Sequence, residues 1–138
     1  MAVLIILAVR THHLGGSGFG HVLGWVGVLV CTTGIGLATW ARACLGRNWG
    51  MPMTVRATPT LVRRGPYRVV RHPIYGGLLL AMLGSALAEG HGWLVAVFGL
   101  GAYFVISLRV EESDMAALFP DEYPEYARHT KRLIPFVY

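Results

Sequence analysis

Apolar and polar positions divide this chain into blocks. From His21 to Ala41 no residue carries a formal charge at neutral pH, and Arg42 and Arg47 close the run. That is enough uncharged chain to cross a hydrocarbon core of about 30 Å as one helix. Ile74 to Ala88 and Trp93 to Leu108 are also uncharged, with Glu89-Gly90-His91-Gly92 between them. Each is shorter than a standard span of about 20 residues, so the pattern predicts a tight helical hairpin that is tilted, partly sunk or extended by its flanks. Gly77, Ala81 and Ser85 recur every four residues and offer a contact seam for that hairpin. Gly20 and Gly24 make a GxxxG step, with Gly27, Gly34 and Gly36 as further small positions. Two readings remain for these: helix packing, or the general enrichment of glycine in membrane helices.

The apolar stretch Met1 to Val9 makes roughly 14 Å of helix and cannot cross a membrane alone. It is either the tail of a spanning helix that begins elsewhere or an interfacial segment. It lacks the charged leader and cleavage site of a signal peptide. Arg10 to Gly20, with His12 and His13, is expected to be a loop.

The polar blocks carry the candidate chemistry. From Arg42 through His72 the chain carries seven arginines, no acid, and Pro52, Pro59, Gly65 and Pro66. That asymmetry predicts a cytoplasmic loop too proline-broken for one helix. Its end, Arg71-His72-Pro73-Ile74-Tyr75-Gly76-Gly77, is the focus of the chain. Pro73 disfavours the helical region for His72 and suits the first helical position, so a helix is predicted to start there. The amides of Ile74, Tyr75 and Gly76 would then be open donors at a positive dipole end, suited to a carboxylate. An arginine-flanked start of a membrane helix has the same spacing. After Leu108, Glu111, Glu112 and Asp114 precede a helix that Pro120 ends, and Asp121-Glu122 opens another, with Tyr123 and Tyr126 on one face. Leu133 to Tyr138 is expected to be an apolar, interface-bound end.

Composition changes the picture in three ways. At 138 residues, 54% hydrophobic and only 14% charged, the chain is a single membrane domain: N-terminal membrane helices over 1–44, and a hairpin-bearing core with its tail over 45–138. The fold class is all-α, an integral membrane bundle with a spanning helix, a hairpin and an amphipathic C-terminal helical tail. The net charge of +5 is mostly arginine beside apolar runs, which reads as a membrane-topology signal rather than a nucleic-acid footprint. Cys31 and Cys44 match no metal spacing and are expected to be small packing residues.

In order, the pieces Gly65-Pro66-Tyr67, Arg71-His72-Pro73-x-Tyr75, the hairpin, Arg109-x-Glu111-Glu112, Phe119-x-x-x-Tyr123-x-x-Tyr126 and Leu133-Ile134-Pro135 resemble the isoprenylcysteine carboxyl methyltransferase family, relatives of the phospholipid N-methyltransferases. The resemblance runs from Leu45 to Tyr138. It implies S-adenosyl-L-methionine as cofactor, with contacts at Pro59, Thr60, Leu61, Val62, Tyr67, His72, Pro73, Ile74, Tyr75 and Glu111. Independently, that molecule has a carboxylate for the Pro73 helix start, an ammonium for an acid such as Glu111, and a flat adenine for tyrosine and aliphatic walls. Arg109 and Glu112 are the catalytic candidates, Arg109 for substrate orientation or paired with Glu112. The chain departs from eukaryotic members at Ser107, where they have an arginine, and at Pro59, where they have a histidine.

Methyl transfer from a sulfonium is an in-line displacement that needs alignment and exclusion of water more than acid–base help. The resemblance implies a bacterial-type enzyme, here in the inner membrane with its site facing the cytoplasm. The acceptor is a lipophilic or prenylated substrate reached among membrane lipids. The alternatives are a phospholipid N-methyltransferase, a thiol S-methyltransferase, or a non-catalytic module that keeps the fold.

Overall fold

A computed structural model of the chain describes residues 18–46, 60–89 and 92–134. The expectations for Met1 to Val9, most of Arg10 to Gly20, Arg47 to Pro59, Gly90-His91 and Pro135 to Tyr138 lie outside the described residues. The described residues form α1 (Gly18–Leu45), a 3-10 turn (Gly65–Arg68), α2 (Pro73–Glu89), α3 (Gly92–Leu118) and α4 (Glu122–His129). The all-α architecture is as the hydropathy pattern requires. α1 starts at Gly18, inside the expected loop, because apolar Phe19 continues the helix and glycine is tolerated in membrane helices.

Two helices are long and apolar enough to cross a membrane, Gly20–Leu45 within α1 and Gly92–Leu118, which is α3; Pro73–Glu89 is shorter. The second arm is extended by its flank, one of the outcomes expected for the hairpin, while the first remains short. α3 runs through the charged boundary at Arg109 for 27 residues, about 40 Å, because nothing before Pro120 interrupts its backbone ladder. Val95, Phe98 and Ile106 on α3, and Val22, Trp25 and Leu29 on α1, are exposed, a surface suited to lipid. Thr32 and Thr33 donate to the carbonyls of Val28 and Leu29, so these hydroxyls are satisfied within their own helix.

The chain forms two compact units, Met1–Gly36 with Gly77–Ala102, and Leu37–Gly76 with Tyr103–Tyr138. In the first, Gly24, Gly27, Cys31 and Gly34 form the buried stripe of α1. A Cβ on Gly27 would lie 2.6 Å from both the Ala88 amide nitrogen and the Gly84 carbonyl oxygen. Cys31 Sγ meets Ser85 Oγ at 3.7 Å. The small-residue row of α2 is thus a seam with α1, correcting its assignment to the hairpin: backbones approach this closely only where glycines face each other.

In the second unit, Gly65 adopts φ +60°, and a Cβ there would lie 2.5 Å from Cys44 Sγ. A positive φ and a filled space both demand glycine. The 3-10 turn that follows buries Pro66 and Tyr67. Tyr126 of α4 then donates its hydroxyl to the Tyr67 carbonyl at 2.7 Å. Glu122, Glu125 and Arg128 face outward while Tyr123 and Tyr126 are buried, so α4 is amphipathic as expected.

Candidate functional site

Every residue of the candidate site for which contacts are described belongs to the second unit. α2 begins at Pro73, and His72 before it lies outside any helix. The Gly76 amide donates to the His72 carbonyl at 3.2 Å, which corrects the expectation that it is open. The amides of Ile74 and Tyr75 have no acceptor among the described residues, and they remain the donors at this positive helix end.

A strap formed by Thr130 to Leu133 holds the segment before α2. The Arg71 amide donates to the Lys131 carbonyl at 2.7 Å, the His72 amide to the Arg132 carbonyl at 3.0 Å, and the Lys131 amide to the Val69 carbonyl at 3.1 Å. Val70 and Lys131 pair as a parallel bridge. Extended backbone needs partners of this kind when buried.

Side chains build outward from the strap. Arg71, nearly buried, donates through Nε to Glu112 Oε1 at 2.8 Å. Its Nη1 reaches the carbonyls of Ala127 at 2.9 Å and Thr130 at 2.5 Å, where α4 ends. Arg132 Nε donates to the other oxygen of Glu112 at 3.0 Å. Glu112 is therefore bracketed by Arg71 and Arg132, and its expected pairing with Arg109 is not the arrangement found. Arg109 is exposed and makes no ion pair among the described residues.

His72 is buried between the two acids, with Nδ1 3.7 Å from Glu111 and Nε2 3.5 Å from Glu112. Nε2 lacks the alignment of a hydrogen bond and has no other partner among the described residues. Burial pushes His72 down to about 4, against the pull of Glu112, and Arg71 and Arg132 push the same way. The ring is neutral at physiological pH. It stacks on Tyr75 at 5.9 Å, and Tyr75 stacks on Phe104 at 4.7 Å. The Tyr75 hydroxyl donates to Glu111 Oε2 at 3.2 Å. Glu111 is 39% exposed, and no arginine pairs with it among the described residues. Burial raises the Tyr67 hydroxyl above its ordinary value, and the nearby charge of Glu111 adds to the effect.

The structure thus groups His72, Tyr75 and Glu111 by contact and Tyr67 by proximity of charge. Thr60, Leu61 and Val62 line a separate recess of about 460 Å³ with Arg63 and Arg64. Pro59 lies outside the described residues. Sequence reasoning gave no role to Arg71, Arg132, Thr130 or Phe104. The available signal was Glu112 itself, since an acid beside a buried histidine needs cations. Among the described residues no cluster of His, Cys, Asp or Glu could hold a metal ion.

Helices long and apolar enough to span a bilayer, joined to a compact cluster of tyrosine, histidine and acid, define a helical membrane protein with a candidate polar site. Residues 22–122 match the phospholipid methyltransferase family, and the chain belongs to that family. It is 34% identical over 114 residues to the cobalt-zinc-cadmium resistance protein CzcN of Cupriavidus metallidurans, covering 80% of this chain and 51% of that protein. Methanethiol S-methyltransferase 1 of Bradyrhizobium diazoefficiens is 37% identical over 71 residues, 51% of this chain and 24% of the enzyme. The methanethiol S-methyltransferase of Mycobacterium tuberculosis is 34% identical over 70 residues, 51% of this chain and 28% of the enzyme. The chain spans about half the length of the first relative and about a quarter of the two enzymes.

Proposed function

We propose that the chain carries the cofactor site of an integral membrane methyltransferase that uses S-adenosyl-L-methionine. One observation carries the reading: Glu111 is a half-exposed carboxylate with no arginine partner among the described residues, oriented by Tyr75, which also supplies an open amide at the start of α2. A zwitterionic amino-acid end fits this pair, its ammonium on Glu111 and its carboxylate on the amides of Ile74 and Tyr75. Tyr67 and Tyr75 supply aromatic surface for the rest. The bound cofactor would supply the electrophilic methyl group. This chain's residues bind, orient and exclude water; neutral His72 shapes the pocket and bears no charge at pH 7.

A small thiol is the acceptor class that best suits these residues. A carboxylate acceptor needs a cation, yet Ser107 stands where eukaryotic isoprenylcysteine enzymes have arginine, Arg71 and Arg132 are engaged by Glu112, and Arg109 is exposed. A thiolate needs no such clamp, and the named activity of the Bradyrhizobium and Mycobacterium relatives is of that kind. The arginine-rich loop supports a site at the cytoplasmic face of a bacterial inner membrane. A Thr58→Cys label, in protein lacking Cys31 and Cys44, should then react only after permeabilisation.

Calorimetry of detergent-purified protein tests the core of the reading. S-adenosylmethionine should bind near one equivalent, and Glu111→Gln should weaken it at least tenfold. Folded protein that binds neither the cofactor nor S-adenosylhomocysteine would instead indicate a non-catalytic module.

A further inference from the structure

The strap does more than close the fold. A Cβ on Gly76 would lie 3.3 Å from the Leu133 carbonyl oxygen, so the strap lies against the first turn of α2. Its backbone fixes His72, and its Arg132 side chain takes the second oxygen of Glu112. The two neighbouring acids are thereby separated in role. Glu112, with a side chain 13% exposed, is matched by two guanidiniums, while Glu111 beside it meets, among the described residues, the Tyr75 hydroxyl and His72 Nδ1.

We propose that Arg132 is a positioning residue: by sharing Glu112 with Arg71 it fixes His72 and the first turn of α2, and leaves Glu111 free to meet an organic cation. The identity of that cation, the ammonium of S-adenosylmethionine, rests on the reading above; the positioning does not. His72 is faced by Glu111 and Glu112 from α3, by Arg132 from the strap, by Arg71 beside it and by Tyr75 from α2. With Arg132 removed, Glu112 keeps Arg71 as its one guanidinium among the described residues and draws a proton onto His72. The charged ring, 3.7 Å from Glu111, then competes with the ligand for that acid.

The test is an NMR titration of histidine-labelled protein in detergent, with His72 assigned by the signal lost in His72→Gln, run beside cofactor calorimetry at pH 6 and pH 8. Arg132→Gln should raise the His72 midpoint by about one pH unit and weaken binding about tenfold at pH 6, less at pH 8. Arg132→Lys, which keeps a charge but not the Nε geometry, should lie between parent and Arg132→Gln. If Arg132→Gln loses its helical dichroism, Arg132→Lys carries the measurement alone, and a raised midpoint is still expected. An unmoved midpoint in a folded variant, or binding lost equally at both pH values, overturns the proposal. A shifted midpoint in protein whose parent binds no cofactor removes the cofactor reading and leaves the positioning standing.

Discussion

Arg71 donates through Nε to Glu112 at 2.8 Å and joins the segment before α2 to α3. The pair is largely desolvated, with side chains 10% and 13% exposed. Such pairs are worth little against apolar substitutes but much against loss of one partner. Glu112→Gln strands the Arg71 guanidinium and should destabilise by roughly 3 kcal/mol, read as a lower unfolding midpoint in detergent. A variant as stable as the parent would show that the guanidiniums find other partners.

Gly84 faces the backbone of α1, where an added Cβ would lie 2.6 Å from the Gly27 carbonyl oxygen and 2.7 Å from Cys31 Cα. Backbone cannot move aside as a side chain can. Gly84→Ala should destabilise by about 1–3 kcal/mol. Gly99→Ala, with open space around its Cβ, should be neutral or slightly stabilising; equal effects of the two would remove the seam.

Stability should fall with acid through His72. Its ordinary value of 6.5 is lowered to about 4 in the fold, so the unfolded chain takes up the proton first. Between about pH 6.5 and pH 4 the unfolded state binds more protons, stability drops, and below pH 4 this group adds no further loss. The contribution is about 3 kcal/mol. Thermal unfolding from pH 7.5 to pH 4 should slope less in His72→Gln than in the parent, and parallel curves would contradict a buried neutral ring.

Tyr75→Phe removes the hydroxyl on Glu111 and keeps the ring between His72 and Phe104. Stability should change by less than about 1 kcal/mol, while affinity for a cationic ligand falls about fivefold as Glu111 loses its orientation. A variant with unchanged affinity would place Glu111 outside the ligand site.

Arg109→Ala separates substrate contact from support. The side chain is exposed and has no ion pair among the described residues, so stability should stay within about 0.5 kcal/mol. If a thiol is the acceptor, methyl transfer should persist near the parent rate. A large fall in kcat/KM at unchanged stability would return Arg109 to the substrate site.

The elements that could be read from the sequence are those set by local chemistry. Pro73 starts α2, Pro120 follows the end of α3, and uncharged runs mark the helices, because each signal acts within a turn or two. The site was legible as a motif, since His72, Tyr75 and Glu111 lie in recognisable spacings. What escaped the reading is non-local. A single parallel bridge between Val70 and Lys131 has no periodic signature, and the partners of Glu112 come from both sides of it in sequence. The contact seam was misassigned because small residues at four-residue spacing show which face is close-packed, and not against which helix. The apolar arm to Leu108 and the helix that Pro120 ends are one element, because charge marks a solvent boundary that a helical backbone crosses freely.

The strap also fixes an order of events during synthesis. Thr130 lies 59 positions after Arg71, the residue whose guanidinium holds its carbonyl. At about 5–20 residues per second the ribosome needs roughly 3–12 s to make that interval. The three long helices are all translated before the strap leaves the ribosome, so a nascent chain can be embedded in lipid before the hydrogen bonds that hold Arg71 and His72 exist.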